Sequence, residues 1–215
     1  MKRIAAKIGV LALALSSPIP AYAAVIIGNG PLAGPNSTSI AVGAGQAAFK
    51  FTPNNSSSVS DVQLRLAGYS TTGGDVAVVR LYADDSVNNV PSATLVGSFT
   101  SPSSSSTGQA TFTFNVSGTI NLAANTPYWL VVDASAGSFT WNGSTSGITW
   151  TGDCAANATP YKTSSNDGAS YTAFSGSPAY GLQIDGVVPE PHEYAMVAGM
   201  GLLAFGFWRR RTAMA

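Results

Sequence analysis

The residues able to do chemistry in this chain are few and scattered. The single histidine, His192, lies in the C-terminal tail, and the single cysteine, Cys154, lies in a Gly/Asp/Asn-rich stretch. Between residues 24 and 188 there is no histidine and no glutamate. Ser-His-Asp catalysis, thiol activation by a neighbouring imidazole and zinc sites of the usual His/Cys/Glu kind are therefore excluded from that region. The same region carries eight aspartates, whose carboxylates could serve as hydrolytic acid and base or as calcium ligands. Asp84 and Asp85 are adjacent, so on a strand their side chains point to opposite faces and cannot flank one bond. With Asn88 they are weak calcium candidates: oxygen ligands in a short loop, without the spacing or terminal Glu of an EF-hand. Asp153 with Asn157, and Asn166 with Asp167, are weaker still.

Aromatic residues are the more suggestive group. Trp141, Trp150, Tyr161 and Tyr171 stand among Gly, Asn and Ser, a setting in which sugar rings could stack on aromatic faces while polar neighbours bond to hydroxyls. The competing assignment for each is a plug in the core, because short strands need large side chains between them. Trp129, inside the dense run Tyr128–Asp133, is assigned to structure. No cofactor is implied.

These residues must be positioned by strands. Val62, Leu64 and Leu66 alternate with Asp61, Gln63 and Arg65, the period of a half-buried strand. Over Asp75–Ala83 the set Ala77, Val79 and Leu81 is the better core face, which leaves Val76, Val78, Arg80 and Tyr82 outward. Ala110, Phe112, Phe114 and Val116 form another inward stripe. Tyr128–Asp133 is apolar on both faces, which predicts a central strand packed against a second layer. Ser101–Gly108, with four consecutive serines, reads as a flexible connector. Some nine or ten short strands separated by turns predict an all-β fold, a beta-sandwich of jelly-roll type. The lone Cys154 is expected to be buried or at a turn.

Charge narrows the partners. Residues 24–188 contain four basic residues, Lys50, Arg65, Arg80 and Lys162, against the eight aspartates, a net charge of about −4. That balance excludes nucleic acid, which requires clustered Lys and Arg. A Ser/Thr-rich surface of low charge suits hydroxyl-rich partners instead.

Two ends frame the domain. Lys2, Arg3 and Lys7 precede the apolar Ile8–Leu15, and Ala21-Tyr22-Ala23 supplies small residues for cleavage, so residues 1–23 read as a signal peptide. At the other end, Pro189-Glu190-Pro191 leads into the apolar run Tyr194–Trp208 and then Arg209-Arg210-Arg211. As a helix that run would reach about 22 Å, marginal for a span that takes roughly 17–25 residues. The arginines would be held on the cytoplasmic side. This order of elements resembles the PEP-CTERM sorting signal of Gram-negative bacteria. The resemblance implies processing by a membrane-embedded exosortase, transient anchoring in the inner membrane and release at the cell surface. Tails of that family often occur in species that make extracellular polysaccharide.

A second resemblance covers roughly 57–151: Val79–Asp85, Thr94–Phe99 and Leu122–Val131 are similar to the choice-of-anchor domains of bacterial surface proteins. It carries no catalytic residues. The chain is thus expected to comprise a signal peptide (1–23), a beta-sandwich (24–187) and a sorting segment (188–215) with a transmembrane-like helix (194–208). Its expected function is that of an exported, non-enzymatic surface or extracellular-matrix protein that associates with exopolysaccharide and binds carbohydrate. The alternatives are a self-assembling or protein-binding module of the cell surface and, more distantly, a glycan hydrolase.

Overall fold

Apolar/polar alternation becomes strand pairing over most of the domain. The computed structural model describes residues 23–30, 36–144, 148–154, 161–173, 179–187, 199–205 and 209–210. The chain divides into two units, Ala23–Val188 and a second composed of Met1–Tyr22 with Pro189–Ala215.

The first unit contains, among the described residues, β1 (Ala23–Gly28), β2 (Asn36–Ala41), β3 (Gln46–Phe51), β4 (Ser57–Ala67), β5 (Val76–Asp85), β6 (Val90–Thr100) and β7 (Gln109–Leu122). There follow β8 (Tyr128–Ala136), β9 (Ser138–Ser144), β10 (Tyr161–Ser164), β11 (Thr172–Ala173), β12 (Ala179–Tyr180) and β13 (Leu182–Val187). A 3-10 turn at Thr71–Gly73 is capped by the Ser70 hydroxyl, which accepts from the Gly73 amide.

All-β content is as expected, but the jelly-roll sandwich is not. The strands form one hydrogen-bonded antiparallel sheet in the order β1-β13-β4-β7-β6-β5-β8-β3-β10-β11, with β2 and β12 joined through β9. The departure lies on β4. β13 pairs with it from Ser58 to Leu64, and β9 then takes the same edge at Leu66 and Ala67. This junction merges strands that a jelly roll keeps in two sheets, and the ends of the path do not pair with each other among the described residues. Alternation specifies which face of a strand is buried; it does not specify whose backbone lies alongside.

The inward faces are those that the pattern predicts. Val62, Leu64, Leu66, Ala77, Val79, Leu81, Phe112 and Phe114 are buried in one cluster with Phe49 and Phe51 of β3. Each Val, Leu and Phe among them contributes roughly 1.5–3 kcal/mol by leaving water. Strands from both ends of the sheet supply this cluster, so one curved sheet does the work expected of two. The outer face of β8 is covered differently from expectation. Trp129 and Val131 form a separate small cluster with Ala48, and Tyr82 and Tyr171 pack on it in place of a second layer.

The serine run is likewise not a free connector. The Thr71 amide donates to the Ser105 hydroxyl (2.8 Å), the Thr71 hydroxyl to the Ser103 carbonyl (3.0 Å), and the Ser106 amide to the Tyr69 carbonyl (2.8 Å). Cys154 is fully buried, and its thiol donates to the Ile26 carbonyl (3.0 Å).

The second unit corrects the expected sorting helix. Its described residues are helical at 199–205 and 209–210, with Leu202, Leu203 and Phe205 exposed. Among the described residues no helix is long and apolar enough to cross a membrane. The predicted transmembrane helix and inner-membrane anchor therefore have no counterpart among them. Residues 1–22, which hold nearly all of the predicted signal peptide, and Pro189, Glu190, Pro191, His192 and Arg211 lie outside the described residues; Arg209 and Arg210 are exposed.

Candidate functional site

A trough of about 310 Å³, open to solvent, lies on the outer face of β3, β8 and β5. Register explains its composition. Val78 of β5 sits opposite Asp133 of β8, and Arg80 opposite Val131, while Ala48 of β3 lies on the far side of Val131. Because successive side chains on a strand alternate, the strands that send Val79, Val132 and Ala47 into the core turn Arg80, Asp133 and Gln46 outward. Pro91 and Ser92 of β6 form one wall, and the 165–171 loop forms the other with Asp167 and Tyr171.

That loop is held by its own polar side chains. The buried Ser164 hydroxyl accepts from the Gly168 amide (2.9 Å), and the Asn166 carboxamide accepts from the Ser170 amide (2.9 Å). Asp167 and Gly168 both have positive φ (56° and 80°), the left-handed conformation that Asn-Asp-Gly sequences favour. A Cβ at residue 168 would lie 2.9 Å from the Gln46 side-chain oxygen, so glycine is what lets the loop approach β3.

Across the trough the Tyr171 hydroxyl donates to Gln46 Oε1 (2.9 Å), and Gln46 Nε2 donates to Asp167 Oδ1 (2.8 Å). Burial, with Tyr82, Asp133 and Asp167 nearby, pushes the Tyr171 phenol up to about 12, so it remains a neutral donor. Burial also raises the Asp133 carboxyl. The Ala134 amide opposes this (2.7 Å to Oδ1), Asp167 adds to it, and Arg80 and the Gln46 carboxamide offset it.

Beside the trough, Asp84 accepts from Trp129 Nε1 (2.6 Å) and from Lys50 Nζ (2.9 Å). Lys50 and Lys162 lie 5.6 and 5.8 Å from the centre of the Trp129 ring.

The aromatic residues singled out in the sequence separate accordingly. Trp141 is wholly buried, its indole N–H donating to the Gly181 carbonyl (3.0 Å) and its ring stacked on Tyr180 at 5.2 Å. Tyr161 is buried, donates to the Tyr180 carbonyl (2.8 Å) and is held un-ionised by that burial. Trp150 is partly buried and stacks on Phe49 at 5.1 Å. Only Tyr171 of the four reaches the trough.

The calcium candidates do not converge. Asp84 faces Lys50 and Trp129, whereas Asp85 accepts from the Val87 and Asn88 amides and the Asn88 carboxamide of its own turn. The Asn88 carboxamide and the turn amides hold the Asp85 carboxyl below its ordinary value. Asp153 accepts from the Asn55 backbone and side chain (2.9 and 2.7 Å), and Asn157 lies outside the described residues. No group of three His, Cys, Asp or Glu side chains converges among the described residues.

Arg80 and Tyr82 were legible as the outward face of β5. Gln46 and Asp133 were not, because they stand 87 positions apart and only the β3–β8 pairing brings them together.

The arrangement is that of an all-β domain with an open trough, lined by polar and aromatic side chains, on the outer face of its sheet. No protein-family model matches the chain, and no curated protein matches it in sequence. The expected membership in the PEP-CTERM and choice-of-anchor families is thereby overturned. With neither a family match nor a described membrane-crossing helix, the Gram-negative cell-surface location inferred from the tail loses its basis.

Proposed function

We propose that the domain is a non-enzymatic carbohydrate-binding module that takes one or two rings of a polysaccharide in the β3-β8-β5 trough. The observation that carries this reading is the pairing of two tyrosines, Tyr82 and Tyr171, with Arg80, Gln46, Asp133 and Asp167 around one open cavity. A sugar presents apolar C–H faces for aromatic rings, and hydroxyls that both donate and accept. Arg80 supplies donors only, the aspartates acceptors only and Gln46 both, so the lining offers hydroxyl pairs complementary partners. The cavity is at the small end of the range for ligand sites, about 300–1,000 Å³, which suits one or two rings of a longer chain.

Calorimetric titration of the full chain against a panel of soluble polysaccharides and their oligosaccharides tests the proposal. Tyr171→Ala is expected to weaken binding about tenfold, or about 1.4 kcal/mol, with folding intact. Absence of binding at millimolar oligosaccharide, or equal affinity for wild type and Tyr171→Ala, would refute it. Release of reducing ends that is lost in Asp133→Asn would show turnover and overturn the non-enzymatic part.

A further inference from the structure

A second cleft, about 260 Å³, lies on the outer face of β4, apart from the trough. It surrounds Arg65, whose neighbours on the two flanking strands differ in kind. Thr111 of β7 is directly opposite on one side, and on the other the Arg65 amide donates to the carbonyl of Gly181 (2.9 Å). Gly181 has no side chain, so the row Thr111–Arg65–Gly181 stops short and leaves space beside the guanidinium. The glycine backbone is fixed from both directions: its amide donates to the Asn142 carbonyl (2.8 Å), and its carbonyl also accepts from Trp141 Nε1 (3.0 Å).

The guanidinium is under-engaged. One Nη donates to the Thr111 hydroxyl at 3.4 Å, and Nε is buried without an acceptor. Among the described residues no carboxylate lies within ion-pair distance of it. Asp185, the acid on the adjoining strand, instead accepts from the side-chain amides of Gln63 and Gln183 (2.9 Å each). Those amides line the cleft and retain their carbonyl oxygens as acceptors. A guanidinium that lines an open cleft with its hydrogen-bonding capacity largely unused fits a planar oxyanion, and carboxylate is the group that takes two parallel N–H bonds from arginine. Neighbouring hydroxyl and amide groups add partners for a ligand that also carries hydroxyls.

We propose that this cleft is a carboxylate-recognition site for a uronic acid residue, with Arg65 on the carboxylate and Thr111, Gln63 and Gln183 on the ring hydroxyls. It is independent of the trough. The test is a titration of the ¹⁵N-labelled full chain with glucuronate, and with glucose and acetate as controls. Glucuronate is expected to shift the amides of β4, β7 and residues 181–183, to bind at least tenfold more tightly than glucose or acetate, and to weaken as salt is raised. Arg65→Gln is expected to abolish the difference between glucuronate and glucose, and Thr111→Val, at an exposed position, to reduce glucuronate affinity severalfold. Tyr171→Ala is expected to leave it unchanged, which separates this site from the trough. Equal binding of glucuronate and glucose, shifts confined to the trough, or undiminished affinity in Arg65→Gln would overturn the proposal. Should Arg65→Gln not fold, Arg65→Lys decides: it keeps the charge and loses the fork, so a drop of threefold or more supports the site and no change overturns it.

Discussion

Replacement of Asp84 by alanine removes two interactions of unequal weight from the outer face of β8. The Asp84 side chain is 5% exposed; it accepts from the Trp129 indole at 2.6 Å and pairs with Lys50 at 2.9 Å. Alanine would leave the indole N–H of Trp129, itself 1% exposed, without its acceptor, a loss of about 1–3 kcal/mol. Lys50 keeps the Asn89 side-chain oxygen at 2.8 Å, so loss of its bond to Asp84 adds about 1 kcal/mol. Asp84→Ala is therefore expected to destabilise the domain by about 2–4 kcal/mol. For a domain of this size, a 3 kcal/mol loss lowers Tm by about 6–12 °C. Asp84→Asn keeps an oxygen for the indole and should lose about 1 kcal/mol. Urea unfolding followed by tryptophan fluorescence, with thermal unfolding by circular dichroism, measures both variants. If Asp84→Ala stays within about 0.5 kcal/mol of wild type, the indole bond is not a stabilising contact. If Asp84→Asn falls as far as alanine, the charge and not the acceptor carries the energy.

Four further outcomes rest on close packing and burial. A Cβ at residue 143 would overlap the Ala179 carbonyl oxygen and lie 2.6 Å from the Tyr180 Cα, so Gly143→Ala is expected to destabilise by at least about 1–3 kcal/mol in the same urea assay; a neutral result would contradict the β9–β12 contact. Burial, and to a lesser degree Asp153, pushes the Cys154 thiol up to about 12, so at pH 8 maleimide labelling should be slow in the native chain and fast in urea. Since the unfolded thiol ionises near 9, the same shift requires stability to fall as pH rises from about 9 towards 12, and a Cys154→Ala variant should show a smaller fall over that range. Burial raises the Asp133 carboxyl, so the ionised form opposes folding at neutral pH; Asp133→Asn should be more stable than wild type at pH 7, with the advantage shrinking as pH falls through the raised folded-state value towards the ordinary 3.8, and equal stability at pH 7 would argue against that burial.

The sequence by itself determined the all-β content and much of the core. Val62, Leu64 and Leu66, the Ala77/Val79/Leu81 stripe and the Phe112/Phe114 pair were readable because side-chain alternation is a local property of an extended chain. The same argument placed Arg80 and Tyr82 outward. Local pattern was silent on partners. It could not show that β9 continues along the β4 edge beyond β13, which turns two expected sheets into one. Nor could it tell Trp141 and Tyr161, buried on backbone carbonyls, from Tyr171, which reaches the trough, since all three stand in similar Gly/Asn/Ser-rich sequence. The trough itself, which joins Gln46 to Asp133 and Asp167, and the space that Gly181 leaves beside Arg65 exist only through pairing between distant strands. Register is set by the packing of whole faces against one another, and that information is spread over the chain and not written at the residues it brings together.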